Sequence, residues 1–100
     1  MGKLLLTPEQ AIELLPEGET VHTLANVGPT LFGTDWSREE IIEKINAENC
    51  VREVAGDTAR EFGHALALYN NDTKWLSDVL FVETNMELVD RLYPPEKGTE

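Results

Sequence analysis

The sequence predicts a single α+β domain, an antiparallel sheet packed by two or three short helices. Three observations predict it. A Ser or Thr stands three residues before a Glu or Gln at Thr7/Gln10, Ser37/Glu40, Thr58/Glu61 and Thr84/Glu87, each pair beside an apolar run. That spacing lets two side chains satisfy the orphan N–H groups of a helix start. Between these starts lie segments rich in Val, Leu, Thr, Phe and Tyr, the composition of strands. The chain has 100 residues, 41% of them hydrophobic, which is enough for one core and too little for two. Residues 1–93 form the expected domain and 94–100 a flexible acidic tail.

Taken in order, the first helix is expected from Pro8 to about Leu15, with Pro8 at its first position and Pro16 with Gly18 ending it. Ala11, Ile12, Leu14 and Leu15 make its buried stripe, while Glu9, Glu13 and Glu17 recur at four-residue steps outside. Thr20 to Val27 alternates, placing Val21, Thr23, Ala25 and Val27 on one face and His22, Leu24 and Asn26 on the other. Gly28-Pro29 is expected to turn the chain into a return strand over Thr30 to Thr34.

The second helix runs from Arg38 to about Glu48 and buries Ile41, Ile42 and Ile45. Trp36 precedes its cap as a hydrophobic staple for Ile41, and Glu40 with Lys44 makes a favourable pair four apart. A short strand over Val51 to Ala55 comes next, followed by one or two helical turns from Thr58 to Phe62, closed by Gly63. Two further strands are expected, His64 to Tyr69 and Val79 to Thr84. Asn70-Asn71-Asp72 begins their connection, and Lys74 to Asp78 reads as a loop extension or a bulged strand. The last helix spans Met86 to about Leu92 and stops at Pro94-Pro95.

Charge excludes more than it suggests. Eight Lys and Arg against 19 Asp and Glu give −11 at pH 7, the wrong sign for binding DNA, RNA or an anionic membrane by bulk attraction. No apolar run approaches the roughly 20 residues that span a bilayer, and the opening Met1-Gly-Lys-Leu-Leu-Leu is too short an apolar core for a signal peptide. A single cysteine, Cys50, allows no internal disulfide and fits a cytoplasmic setting.

No motif announces an enzyme. His22, Cys50 and His64 are far apart and lack metal-ligand spacing, and no dyad signature surrounds Cys50. No GxxxxGK[ST] phosphate loop is present, and no cofactor is expected. A small metal-dependent hydrolase is therefore the least favoured class. Polar or amphipathic residues at strands and strand ends make a candidate ligand site instead: His22, Asn26, Asp35, Trp36, His64 and Glu83. Each also has a structural role available, Asn26 and Asp35 as turn formers, Trp36 as the staple, Glu83 as an outward strand residue.

The strongest feature is acidity. Leu4 to Ser37 contains no Lys or Arg but holds Glu9, Glu13, Glu17, Glu19 and Asp35, and Glu39, Glu40 and Glu43 extend it along the second helix. Residues 1–50 hold three cationic and nine anionic side chains and residues 51–100 five and ten, so the excess is spread over the chain. If the two helices lie side by side, Glu9, Glu13, Glu17, Glu39 and Glu43 form a negative surface suited to a basic partner; such charge also serves solubility.

The segments Val21-His-Thr-Leu-Ala-Asn, Gly33-Thr-Asp-Trp-Ser-Arg-Glu-Glu-Ile, Gly63-His-Ala-Leu-Ala-Leu and Leu80-Phe-Val-Glu-Thr resemble a pattern in small proteins of bacteriophages and mobile elements, over about Thr7 to Glu87. The resemblance carries no functional residue. It implies expression in a bacterial cytoplasm, where phage proteins of this size often neutralise host defence. Two functions are expected from these strands of reasoning: an acidic inhibitor docked on the basic, nucleic-acid-binding surface of a defence protein, or a protein that sequesters a nucleotide-like signal. A second copy of the chain is a further candidate partner, through an exposed sheet edge or face.

Overall fold

Helix starts and strand alternation leave one question open, which is how the strands are ordered. A computed structural model describes residues 5–27, 30–70 and 79–94, with the side chains of Asn26 and Val27 outside that description. The expected turn at Gly28-Pro29, the connection through Asn71-Asp72, the Lys74 to Asp78 stretch and the tail from Pro95 onward lie outside the described residues. The elements are α1 (Pro8–Glu13), β1 (Thr20–Val27), β2 (Thr30–Ser37), α2 (Arg38–Asn46), β3 (Cys50–Val54), α3 (Asp57–Glu61), β4 (Leu66–Asn70), β5 (Leu80–Val82) and α4 (Met86–Leu92). They make the α+β domain expected from the sequence, with one five-stranded sheet in the order β2-β1-β5-β4-β3 and every neighbouring pair antiparallel.

Register decides which face each residue shows. Thr23 lies opposite Val82, Val82 opposite Leu66, and Leu66 opposite Val54, so these share one face. Val21, Leu66, Leu68 and Val82 on that face are fully buried and join Ala11 and Leu14 from the first helical segment, Ile41 and Ile45 of α2, and Val89 of α4 in one core. Burying such a side chain contributes roughly 1.5–3 kcal/mol. The other face carries His22, Leu24, Val51, Tyr69 and Phe81, all half-buried, beside the buried Glu53 and Ala67, and none of the seven is part of that core. The helix layer thus covers one side of the sheet.

The caps at Thr7 and Ser37 form both halves of the expected reciprocal pair. The other two do not. α3 begins two residues earlier than a cap at Thr58 predicts, behind Gly56 and with no side-chain cap. α4 is capped by Asn85, whose Oδ1 accepts the Leu88 N–H at 3.4 Å. Thr84 is taken by tertiary structure instead: its buried hydroxyl accepts the Ala65 N–H at 3.1 Å and holds β4 to the start of α4. Glu40 places its carboxylate on the Ser37 N–H at 3.2 Å rather than on Lys44. β2 runs three residues past its expected end, because β1 offers partners as far as Thr20, opposite Ser37.

Candidate functional site

Two regions gather the residues singled out by sequence. The first is on the sheet face turned away from the helix-side core, the open face among the described residues. His22 points there from β1, directly opposite Asp35 of β2. His64 arrives by a different route. α3 ends on Phe62, and Gly63 takes φ 81°, a left-handed conformation that glycine adopts without strain. The Gly63 N–H then donates to Arg60 O at 3.0 Å and the His64 N–H to Ala59 O at 3.0 Å, a paired closure of the helix end. This delivers the His64 ring to β1, where its Nε2 lies 2.9 Å from His22 Nδ1 and the ring centroids are 5.1 Å apart.

Proton positions follow from the partners. His64 Nδ1 lies 2.7 Å from the Phe62 carbonyl, which only accepts, so Nδ1 carries hydrogen. Burial pushes the His64 pKa below its ordinary value and favours the neutral ring; the Phe62 carbonyl opposes this shift. Nε2 of a neutral His64 is then an acceptor and His22 Nδ1 is its donor, which leaves His22 Nε2 as the outward nitrogen of the pair. That nitrogen lies over Gly33: a Cβ there would come within 2.7 Å of it. Glu83 braces the same spot, accepting the His22 N–H on Oε1 at 3.2 Å and donating its own N–H to His22 O at 2.9 Å. The arrangement fixes the orientation of both rings, and neither ring is hydrogen-bonded to a Ser, Thr or Cys side chain among the described residues.

The candidate ligand set is therefore divided. His22, Asp35, His64 and Glu83 cluster at one end of the open face. Trp36 follows Asp35 on β2 and shows the opposite face, opposed to Val21 and packed on the helix-side core. Asn26 sits opposite Leu31 in the ladder, and its side chain is outside the described residues. A cavity of about 330 Å³ opens at the β2 edge between Thr34, Asp35, Trp36 and Glu40. Cys50 lies on β3, with β4 and β5 between it and β1; it is buried, and burial pushes its thiol pKa up. Among the described residues no group of three or more His, Cys, Asp and Glu side chains is placed to hold a metal ion.

One polar pair escaped sequence reasoning. Glu53 is buried, and Tyr69 donates its hydroxyl to Glu53 Oε2 at 2.7 Å, a hydrogen bond that pushes the Tyr69 pKa up to about 12. The two residues are diagonal neighbours on β3 and β4, a relation that only the strand register reveals.

The second region is the helix layer. α1 and α2 pack against each other, and Glu9, Glu13, Glu17, Glu39 and Glu43 are all exposed. None of the five forms an ion pair with a described residue, whereas Arg60 and Asp90 pair at 2.7 Å elsewhere. The two nearby arginines donate to backbone carbonyls. Arg38 donates through Nη1 to Pro16 O, and Arg52 donates to Leu6 O at 3.2 Å and to Ile45 O and Cys50 O at 2.8 Å. Lys44 is half-buried. The five carboxylates thus make no direct ion pair among the described residues, while Arg38 and Lys44 keep their positive charge close by.

Comparison of the chain with protein-family models, curated proteins and solved structures finds no match. Among the described residues no helix is long and apolar enough to cross a membrane.

Proposed function

We propose that the chain is an acidic binding protein that inhibits a bacterial defence component by occupying its basic, nucleic-acid-binding surface. The observation that carries this reading is the set of exposed carboxylates Glu9, Glu13, Glu17, Glu39 and Glu43 on and beside two packed helices, none of them in an ion pair with a described residue. Net negative charge on a surface draws an oppositely charged partner and accelerates its approach. The host setting is what the resemblance to phage and mobile-element proteins implies.

The test is competition. A host protein captured by the chain at low salt is bound to its nucleic acid, and the chain is titrated in. Displacement is expected to weaken steeply toward about 0.5 M salt, where the screening length falls to a few ångströms. It should be lost in the combined variant Glu9→Lys, Glu13→Lys, Glu39→Lys, Glu43→Lys while the melting temperature holds. Displacement that survives both salt and charge reversal overturns the proposal.

A second reading, capture of a nucleotide-like ligand on the open face, is favoured by the meeting of His22 and His64. Its signature is a nucleotide-dependent rise in melting temperature that disappears in His22→Ala.

A further inference from the structure

The two edges of the sheet are finished differently. β3 is covered by the chain itself: Leu5 bridges to Glu53, the Leu6 N–H donates to Arg52 O at 2.9 Å, and Arg52 Nε returns to Leu6 O. β2, at the other edge, meets no described segment on its outer side. It is eight residues long, contains neither Lys nor Pro, and exposes Leu31 by 46% and Phe32 by 54%. Natural sheets usually guard such an edge with charge, proline, a bulge or a covering segment.

The outward backbone groups can be named. His22 turns both its N–H and its C=O toward the β5 side, where Glu83 takes them, so His22 and Asp35 are not a hydrogen-bonded pair in the β1–β2 ladder. Alternation then assigns the ladder bonds to Val21/Trp36, Thr23/Thr34 and Ala25/Phe32. The Arg38 N–H to Glu19 O bond at 2.8 Å continues that series. Leu31, Gly33 and Asp35 are left with N–H and C=O directed away from the sheet.

We propose that β2 pairs antiparallel with β2 of a second copy about a two-fold axis at Gly33, joining two sheets into one. Charge selects this occupant. In a chain of net charge −11, β2 carries a single charge, Asp35, so the edge offers little to a basic foreign strand. Self-pairing about Gly33 sets Asp35 opposite the partner's Leu31 and keeps the two carboxylates apart. It also brings together all three outward residues of each copy, and Gly33 at the axis presents no side chain.

The test is sedimentation equilibrium of the full chain, with amide hydrogen exchange on the same samples. A mass near twice 11.2 kDa should appear as concentration rises, and added salt should strengthen it by screening repulsion between like-charged copies. At high concentration the amides of Leu31, Gly33 and Asp35 should slow together, while those of Phe32 and Thr34 are slow at all concentrations. Leu31→Pro removes one outward N–H without touching the inner ladder and should shift the chain to monomer with its melting temperature nearly unchanged. A wild-type chain that stays monomeric overturns the proposal, whether or not the edge then accepts a foreign strand. So does a dimer in which the three amides still exchange fast, or one that Leu31→Pro leaves intact.

Discussion

The two faces of the sheet are built from the same strands and do different work. On the helix side, Val21, Leu66, Leu68 and Val82 are sealed against α1, α2 and α4, and the buried Thr23 hydroxyl is answered by Thr34 O at 3.1 Å. On the open side, His22, Leu24, Tyr69 and Phe81 are half-buried, and the polar groups bind one another: His22 to His64, Tyr69 to Glu53, the His22 backbone to Glu83. The difference teaches where stability and chemistry are separated. Apolar burial holds the fold from one side, so the other side is free to keep ionisable groups in fixed orientations. No buried side-chain polar atom among the described residues lacks a partner, so both faces are satisfied by different means.

The largest effect should come from breaking the covered face. Leu66→Ala empties a fully buried position and is expected to cost about 2–5 kcal/mol in denaturant unfolding. Leu24→Ala, half-buried on the open face, should cost about 1 kcal/mol. Equal losses would show that the open face is sealed as tightly as the other.

A smaller effect sharpens the contrast. Gly33→Ala puts a Cβ within 2.7 Å of His22 Nε2, and His64 prevents the ring from moving freely aside. A net loss of about 1 kcal/mol is expected, of the order of the hydrogen bond that must yield. In a His22→Ala background the same substitution should turn neutral or stabilising by a few tenths to about 1 kcal/mol, since only the flexibility of the unfolded chain is then reduced. A sign that does not change would mean that His22 does not fill the space above Gly33.

The smallest effect concerns pH. Burial lowers the His64 pKa from 6.5, so the unfolded chain binds the proton more readily than the folded one. The contribution is fully present above pH 6.5 and is lost as pH falls from there through the lower folded value. His64→Gln should flatten that part of the stability profile. A slope unchanged by His64→Gln would assign the loss to other groups.

Much of the covered face was legible because it repeats locally. Of the α2 positions expected to be buried, Ile41 and Ile45 are fully so and Ile42 is half-buried, and the alternation of β1 placed Val21 and Thr23 on one face, which the structure buries. Caps at Thr7 and Ser37 were equally readable, since all their atoms lie within four residues. Thr84 carries the same local signal, yet its hydroxyl is claimed from 19 residues away by the Ala65 N–H, and Asn85 takes the cap. A local rule fails where a buried long-range donor competes for the same oxygen.

By itself, then, the sequence determined the α+β class, the order of elements, the helix stripes and the net charge of −11, all consequences of composition and of contacts between near neighbours. Tertiary structure decided that β5 enters between β1 and β4, that His22 meets His64 across 42 residues, that Trp36 and Asp35 part to opposite faces, and that the arginines beside the acidic helices turn to carbonyls. The physical reason is range: periodicity records which side of an element is buried, while strand order is set by how distant apolar faces share one core.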